Sequence, residues 1–329
     1  MPSAAHTPGA ASERQWPALP FTAWKDTAAT LQRWTQIVGK VRLACTPWVN
    51  HSWHVTLYVT VRGLTTGPIP HGRTSFEIDF DFIDHQLIIR SSDGAQRVIA
   101  LRAMTVADFH AAVMLALHEL QLDVKTSRAP NEVEDATPFA EDRVHASYDP
   151  DSANRFWRVL LQSDRVFQQF RSRFFGKCSP VHFFWGSFDL AVTRFSGRTA
   201  PKHPGGVPHL PDVVAQEAYS HEVSSCGFWP GSDAMPQPVF YSYSYPAPRG
   251  FAEAKVTPAA ALWNAELGEF ILPYERVREA ADPDAYLLQF LQSTYAAAAN
   301  LGKWDRAALE PPRDWPPAQP ITFPTAAAD

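Results

Sequence analysis

Residues 176–197 read GKCSPVHFFWGSFDLAVTRFSG, and this is the densest aromatic segment of the chain that also carries His and Asp. A similar stretch occurs in the first half of the chain, where residues 39–63 read GKVRLACTPWVNHSWHVTLYVTVRG. Each stretch follows a helical pattern, opens with Gly-Lys, contains Cys-Ser-Pro or Cys-Thr-Pro, and ends in a β-rich run that closes on Gly. The pairing predicts two similar halves.

The elements on either side of these stretches follow the same order in both halves: helix, strand, alternating aromatic strand, further strands and helix. Residues 75–84 alternate Phe or Ile with acidic residues, and residues 239–245 alternate Tyr with Phe or Ser. We therefore predict an α+β fold of two similar halves, each an antiparallel sheet with flanking helices. The repeat suggests an internal duplication, and the alternative is that this order recurs by chance. In either case we expect a site at the interface between the halves, where pockets often form.

Helix boundaries are marked by local residues. Apolar residues at helical spacing predict a helix from Phe21 to Val38, with Gly39 as its expected end. Asp149 and Asp282 are each followed by Pro, which is typical of an N-cap and the first helical position. The β-rich residues 53–61 predict a strand, and the Gly- and Pro-containing residues 63–72 predict a loop.

Changes in composition divide the chain into five parts. They are a disordered tail (1–15), a first α+β half (16–127), a linker (128–148), a second α+β half (149–310) and a Pro/Ala-rich tail (311–329). The second half contains a long insertion, residues 198–235, which includes a short β-like piece from Tyr219 to Cys226. A connection of this length usually acts as a lid, a binding loop or an interface, although it could simply cover a sheet edge.

Composition excludes several classes of protein. The chain has 329 residues, of which 45% are hydrophobic, so it can bury a large core. Its net charge is −5 and it has no Lys/Arg cluster, which argues against nucleic-acid binding. The three cysteines have no CxxC spacing and suit a reducing compartment. No secretory signal and no apolar run long enough for a bilayer are present, so we expect a cytoplasmic protein without a membrane partner.

Three strings carry a resemblance over nearly the whole chain, from about Trp16 to Leu309. They are WPALPFTAWKDTAATLQRWTQIVGKVRL, TPWVNHSWHVTLYVTVRGLTT and GKCSPVHFFWGSFDLAVTRFSG. The chain resembles an uncharacterised bacterial family, one of the domains of unknown function. The resemblance implies a bacterial cytoplasmic protein whose halves belong together, and it supplies no substrate, cofactor or catalytic residue.

The first candidate site is in the opening stretch and consists of His182, Trp185, Asp189 and Arg194. Trp185 offers a flat wall to a ligand. Arg194 could pair with a carboxylate of the ligand or with one of the acidic residues in the strand predicted at 75–84. Asp189 is out of phase with Leu190, so it lies on the face opposite the aliphatic one. The alternative is a surface ion pair beside a core tryptophan.

The second candidate is the acidic face formed by Glu77, Asp79 and Asp81. Carboxylates spaced two residues apart on a strand repel one another. If they are enclosed, one pKa must rise or a cation must bind. The alternative, which we favour, is the solvated outer face of an antiparallel sheet.

His221 and Glu222 are further candidates for catalysis, since they follow a histidine-rich connection. A metal set could also be drawn from histidines in both halves, namely His51, His54, His182, His203, His209 and His221. Their spacing matches no recognised metal signature, so no metal ligand is assigned. Cys178 lies four residues before His182 across a proline, and we expect it to be an inert packing residue.

Trp229, Tyr241 and Tyr243 complete the predicted ligand-binding residues. We expect a small polar molecule to bind in an aromatic-walled, His/Asp-lined cleft between the halves, with acid/base hydrolysis or related chemistry as a hypothesis. The alternative is a non-catalytic module that uses these aromatics as one exposed patch to bind a protein or a second copy of itself. The chain has no P-loop and no dinucleotide fingerprint, and the sequence leaves any cofactor unknown.

Overall fold

The computed structural model describes residues 15–312 and Trp315. Most of both predicted tails lies outside these residues. The longer helices are α1 (Phe21–Cys45), α2 (Val106–Glu119), α3 (Pro150–Ser172) and α6 (Pro283–Leu301). The shorter ones are α4 (Asp212–Ala218), α5 (Tyr274–Arg278) and α7 (Arg306–Leu309), and a 3₁₀ turn occupies Asn50–Ser52.

Two helices begin at the predicted caps, Asp149 and Asp282, and a third begins at Thr105. The side chains of Thr105, Asp149 and Asp282 each accept a hydrogen bond from a backbone N–H in the first turn of α2, α3 and α6. In α3 and α6 the first helical residue is proline, which has no N–H to leave unpaired.

The first helix is longer than predicted, because α1 continues through Gly39 to Cys45. A Cβ placed on Gly39 would lie 2.2 Å from Nε1 of Trp185. Glycine at this position therefore reflects the close approach of the Trp185 ring and not a helix end. Thr46 adopts an extended conformation, as expected before Pro47, and ends α1.

The first half contains a six-stranded antiparallel sheet. Its strands are β1 (Tyr58–Val59), β2 (Gly63–Thr65), β3 (Ile69–His71), β4 (Thr74–Asp81), β5 (Gln86–Ser91) and β6 (Gln96–Ala100). The order is β1-β2-β4-β5-β6, with β3 also paired to β4. The predicted strand at 53–61 is reduced to β1, and the predicted loop at 63–72 contains β2 and β3. The β2 strand starts at Gly63, where a Cβ would lie 1.8 Å from the carbonyl oxygen of Phe80.

The second half contains a second six-stranded antiparallel sheet. Its strands are β7 (His182–Phe184), β8 (Asp189–Thr199), β9 (His221–Trp229), β10 (Val239–Tyr245), β11 (Leu262–Asn264) and β12 (Glu269–Pro273). The order is β11-β12-β10-β9-β8-β7. The predicted insertion, residues 198–235, therefore includes an interior strand, β9, and only part of it is a connection.

The two halves are joined by backbone and by packing. Leu57 and Phe183 exchange backbone hydrogen bonds of 2.9 Å, which links the first half to β7. Residues 128–148, predicted to be a linker, pack on the core: Phe139 is buried, and Asp142 lies 3.3 Å from Arg33 of α1. The predicted α+β fold with two sheet-containing halves is confirmed, while the internal duplication stays a prediction.

Candidate functional site

A cavity of about 560 Å³ lies between the halves, a size that suits a small organic ligand. Its walls come from α1 and the loop after it, from residues 127–132, from one face of the second sheet, and from residues 207–219. Eight large aromatic side chains line it: Trp48, Trp53, Phe184, Trp185, Phe195, Tyr219, Tyr241 and Tyr243.

The sheet face of the cavity follows from strand register. Ala191 of β8 is paired with Gly227 of β9, which is paired with Tyr241 of β10. Directly opposed residues of neighbouring strands point to the same face of the sheet, and along one strand every second residue points to that face. Asp189 therefore joins Tyr241 on the cavity side, whereas Leu190 and Val192 point into the helix-covered core.

Asp189 is the buried carboxyl group of this face, with 7% of its surface exposed. The hydroxyl groups of Ser187 and Tyr241 each donate a hydrogen bond to it. A Cβ on Gly227 would lie 2.4 Å from the Tyr241 hydroxyl, so the glycine leaves the space through which Tyr241 crosses β9. Burial raises the pKa of Asp189 against the opposing effect of the two donors.

Glu132 is the second carboxyl group of the cavity. Its backbone is left-handed, with φ of 58°, and its N–H donates to the carbonyl of Pro208 at 2.9 Å. The carboxyl lies against Gly186, where a Cβ would be 2.0 Å from Oε1. Burial, and then the charge of Asp189, raise the pKa of Glu132 to about 7, while Lys40 acts in the opposite direction.

Lys40 is the cation of this group and is 3% exposed. Its ammonium donates to Ser127 Oγ at 2.9 Å and to the side-chain carbonyl of Asn131, and it lies 5.4 Å from the centre of the Trp185 ring. Burial lowers the pKa of Lys40 to about 8, and the charge of Glu132 partly offsets this effect. These contacts fix α1 to the segment that carries Glu132.

His51 connects the elements on the side of the cavity away from Glu132, and its backbone is left-handed, with φ of 61°. Its backbone N–H donates to the Glu217 carboxylate at 2.8 Å, and its Nδ1–H donates to the carbonyl of Ala218 at 2.9 Å. Nε2 accepts from Nζ of Lys177 at 2.7 Å, and burial lowers the pKa of His51. These bonds attach α4, which covers the cavity, to the first half.

Four of the residues predicted for catalysis or ligand binding line the cavity: Asp189, Trp185, Tyr241 and Tyr243. Three histidines of the hypothetical metal set also line it: His51, His54 and His209. Trp185 also donates from Nε1 to the carbonyl of Val55 at 2.7 Å, so its indole is fixed between α1 and the loop after it. The hydroxyl of Tyr243 lies 2.8 Å from that of Tyr219.

Arg194 and His182 require correction, because neither lines the cavity. Arg194 is five residues after Asp189, so alternation turns it to the other face, where its guanidinium lies 3.5 Å from the centre of the Phe170 ring. His182 is completely buried, and neither ring nitrogen has a hydrogen-bond partner among the described residues. Burial lowers the pKa of His182 to about 3, so the imidazole is neutral and unsuited to acid/base exchange near pH 7.

Three other predicted residues lie outside the cavity wall. Glu222 accepts hydrogen bonds from Arg198 at 2.6 Å and from the Ser196 hydroxyl at 2.8 Å, which makes it an ion-pair residue at the start of β9. His221 contacts its own neighbour Ser220 through Nδ1 at 3.1 Å. Trp229 packs beside the cluster formed by Val239, Tyr241 and Ile271.

The acidic strand is also separate from the cavity. Glu77 and Asp79 both pair with Arg90 of the adjacent strand, as expected for an outer sheet face. Asp81 pairs with Arg62 at 2.5 Å and accepts backbone N–H bonds in the turn after β4, so its buried carboxylate is structural. None of the three carboxylates lines the space that contains Asp189.

The described part of the chain contains no cluster of side chains that supports the metal hypothesis. No three His, Cys, Asp or Glu side chains among these residues are grouped so that they could hold an ion. Cys45, Cys178 and Cys226 are free thiols, and burial raises the pKa of each.

Sequence reasoning missed Lys40 and Glu132. Lys40 belongs to the Gly-Lys pair that marks the repeat, and because Gly-Lys occurs in both stretches it does not distinguish a site residue from the shared framework. Glu132 lies in the acidic, Pro-containing segment taken for a linker, where nothing in the local pattern separates it from Glu134 or Asp135.

The fold and cavity define an α+β protein with a ligand-sized, aromatic-walled space between two sheet-containing halves. Residues 16–311 match the model of a family of unknown function (DUF5996), and the chain belongs to this family. No curated protein and no solved structure matches the chain. Within residues 15–312, none of the helices combines the length and apolar character that crossing a membrane requires.

Proposed function

We propose that the cavity binds a small organic molecule with a mostly apolar body and a polar head, and that Glu132 and Asp189 carry out acid/base chemistry on that head. The observation that carries the proposal is that both carboxyl groups lie against the turn between β7 and β8, residues 185–188. Glu132 lies against Gly186, and Asp189 accepts from Ser187, within an aromatic-walled cavity.

The two carboxyl groups suit different roles. Glu132 has a pKa of about 7, so it exchanges a proton readily at neutral pH and suits a general acid or base. Asp189 is oriented by Tyr241 and Ser187, which makes it a fixed partner for developing positive charge or for a water molecule. Hydrolysis of a small ester, amide or glycoside is the reaction class that this pair supports best.

The cavity is preferred to the alternative of a protein-binding aromatic patch. That alternative needs Tyr241, Tyr243 and Trp229 on one exposed surface. Tyr241 is only 9% exposed and Tyr243 lines the cavity, which favours a small ligand. A cytoplasmic location remains part of the proposal, and the three free cysteines support it.

Binding is tested first by a thermal-shift screen of small organic molecules. Ala215 lines the cavity on α4, whereas Val213 on the same helix is 64% exposed and lies outside the wall. Ala215→Trp should fill the cavity and abolish the shifts, while Val213→Trp should retain them. Shifts that survive equally in both variants would place binding elsewhere and refute the cavity.

Chemistry is tested on a panel of aromatic esters, amides and glycosides, with product followed by chromatography. Glu132→Gln and Asp189→Asn should each lower turnover by about 100-fold or more, the usual contribution of a general acid or base. His182→Gln and the exposed Glu253→Gln should leave it unchanged. Equal turnover in all four variants would remove the carboxyl pair from the mechanism.

A further inference from the structure

We propose that the polar head of the ligand carries a protonated amine beside its reacting bond, and that the carboxyl groups of Glu132 and Asp189 attract this ammonium group while the apolar body of the ligand lies against the cavity's aromatic rings. The inference rests on the proposed function, because it names the class of ligand for the same cavity.

The balance of charge in the cavity wall is the first argument. The wall contains two acidic side chains, Glu132 and Asp189, while Lys40 is its one Lys or Arg residue among the described ones. Sites for phosphate or carboxylate ligands commonly use arginine, which presents a fork of donors. This wall therefore favours a cation over an anion.

The contacts of Lys40 and Asp189 leave the excess negative charge uncompensated. Lys40 directs hydrogens to Ser127 and Asn131, and it is held against α1 by these bonds. Asp189 accepts only neutral hydroxyl donors, from Ser187 and Tyr241, in the described structure. A ligand ammonium would supply the charge that hydroxyl groups cannot.

The aromatic wall is the second argument, and it is independent of the acidic residues. A cation is attracted to the face of an aromatic ring, most strongly to tryptophan. Trp185 and Trp53 are already engaged by the chain's own ammonium groups, since Lys40 Nζ is 5.4 Å from the centre of the first ring and Lys177 Nζ is 5.2 Å from that of the second. Among the described residues no Lys or Arg lies over the other Trp and Tyr rings of the wall, which therefore remain for a ligand cation: Trp48, Tyr219, Tyr241 and Tyr243. Rings and carboxylates together form the usual environment for an organic ammonium ion.

The test compares three probes of one shape and different charge on the full chain at pH 8: tryptamine, tryptophol and indole-3-propionate. Isothermal titration calorimetry gives the dissociation constants. Tryptamine should bind about tenfold more tightly than tryptophol, and indole-3-propionate should bind most weakly. In Glu132→Gln and in Asp189→Asn the tryptamine preference should fall to about threefold or less.

Exposed Glu253 supplies the matched control, because Glu253→Gln removes the same charge outside the cavity. Thermal melts establish that each variant is folded, and if one carboxyl variant fails to fold, the other still decides the question. Tryptophol or indole-3-propionate binding as tightly as tryptamine would overturn the ammonium preference and leave the proposed cavity function standing. No binding of any probe at 5 mM would overturn the ammonium inference, while the thermal-shift screen with Ala215→Trp and Val213→Trp would still decide the proposed cavity function.

Discussion

The Tyr241 hydroxyl donates a hydrogen bond to the Asp189 carboxylate across an intervening strand. The two residues belong to β10 and β8, which are not neighbours in the sheet, and β9 separates them. Gly227 is the residue of β9 over which the Tyr241 side chain passes, and its lack of a Cβ makes this bond geometrically possible.

Gly227→Ala should therefore destabilise the protein by about 2–3 kcal/mol, since the new methyl group would overlap the Tyr241 hydroxyl and the carbonyl oxygen of Leu190. Urea denaturation measures the loss. Tyr241→Phe is the control, because it removes the hydrogen bond without adding volume and should cost only about 1 kcal/mol. A Gly227→Ala protein as stable as wild type would contradict the crowding.

Local patterns were enough to predict much of the fold. Alternation in residues 75–84 and 239–245 predicted β4 and β10, and the Asp-Pro pairs predicted the starts of α3 and α6. The role of Gly39 and the interior position of β9 were not predicted, for physical reasons that are not local. Gly39 is set by the close approach of Trp185, which lies far along the chain, and the pairing of β9 with β8 and β10 depends on the tertiary fold and not on the residues of β9 alone.

The candidate site was predicted only in part. Alternation along β8 correctly separated Asp189 from the aliphatic core, and the same parity, applied five residues further, would have placed Arg194 on the opposite face. Glu132 could not have been found this way, because residues 128–148 have no periodicity. Its position depends on tertiary bonds, such as the one from its N–H to the carbonyl of Pro208.

Glu132→Gln should flatten the pH dependence of stability. The folded pKa of Glu132 is raised from 4.5 to about 7, so the folded state holds this proton more tightly than the unfolded state. The stabilisation from this group is present below about pH 4.5 and is lost as the pH rises through 7. Between pH 4.5 and pH 8, denaturant titrations should show that the free energy of unfolding falls by roughly 1–2 kcal/mol more in wild type than in Glu132→Gln. This difference is smaller than the full pKa shift implies, because solvent screens part of the interaction.

Glu253→Gln provides the reference for this experiment, since Glu253 is exposed. Its stability should follow wild type at both pH values. A Glu132→Gln protein that loses as much stability as wild type over the same range would contradict the raised pKa.

Lys40→Met should raise the pKa of Glu132 above its wild-type value of about 7. The charge of Lys40 lowers the pKa of Glu132, whereas burial and the charge of Asp189 raise it. Removal of Lys40 therefore leaves only the effects that favour the protonated carboxyl group. Titration of the Glu132 side-chain carboxyl by ¹³C NMR measures the change. Lys177→Met removes a cation that contacts His51 instead, and it should leave the Glu132 titration within about 0.3 units of wild type.

Arg194 should prove replaceable by an apolar side chain of similar length. Its guanidinium lies against the rings of Phe170 and Tyr295, donates to the carbonyl of Phe170, and has a pKa lowered to about 10 by burial. Arg194→Met should cost less than about 1.5 kcal/mol, because packing is kept and charge desolvation is removed, whereas Arg194→Ala should cost about 3 kcal/mol. Urea denaturation distinguishes the two, and a larger loss in the Met variant would show that the charge itself is required.

Gly39→Ala should have two opposing effects on stability, a gain in helix propensity and a loss from crowding of Trp185, and we expect the loss to be larger. Alanine in the interior of α1 would gain about 1 kcal/mol in propensity, but its methyl group would lie about 2 Å from the Trp185 ring. Because that ring is fixed by its bond to the Val55 carbonyl, we expect a net loss of roughly 1–2 kcal/mol by denaturant titration. Combining Gly39→Ala with Trp185→Leu should recover the propensity gain, so the double variant should be more stable than Trp185→Leu alone. If Gly39→Ala were as costly in the Leu background as in wild type, the crowding would have to come from a residue other than Trp185.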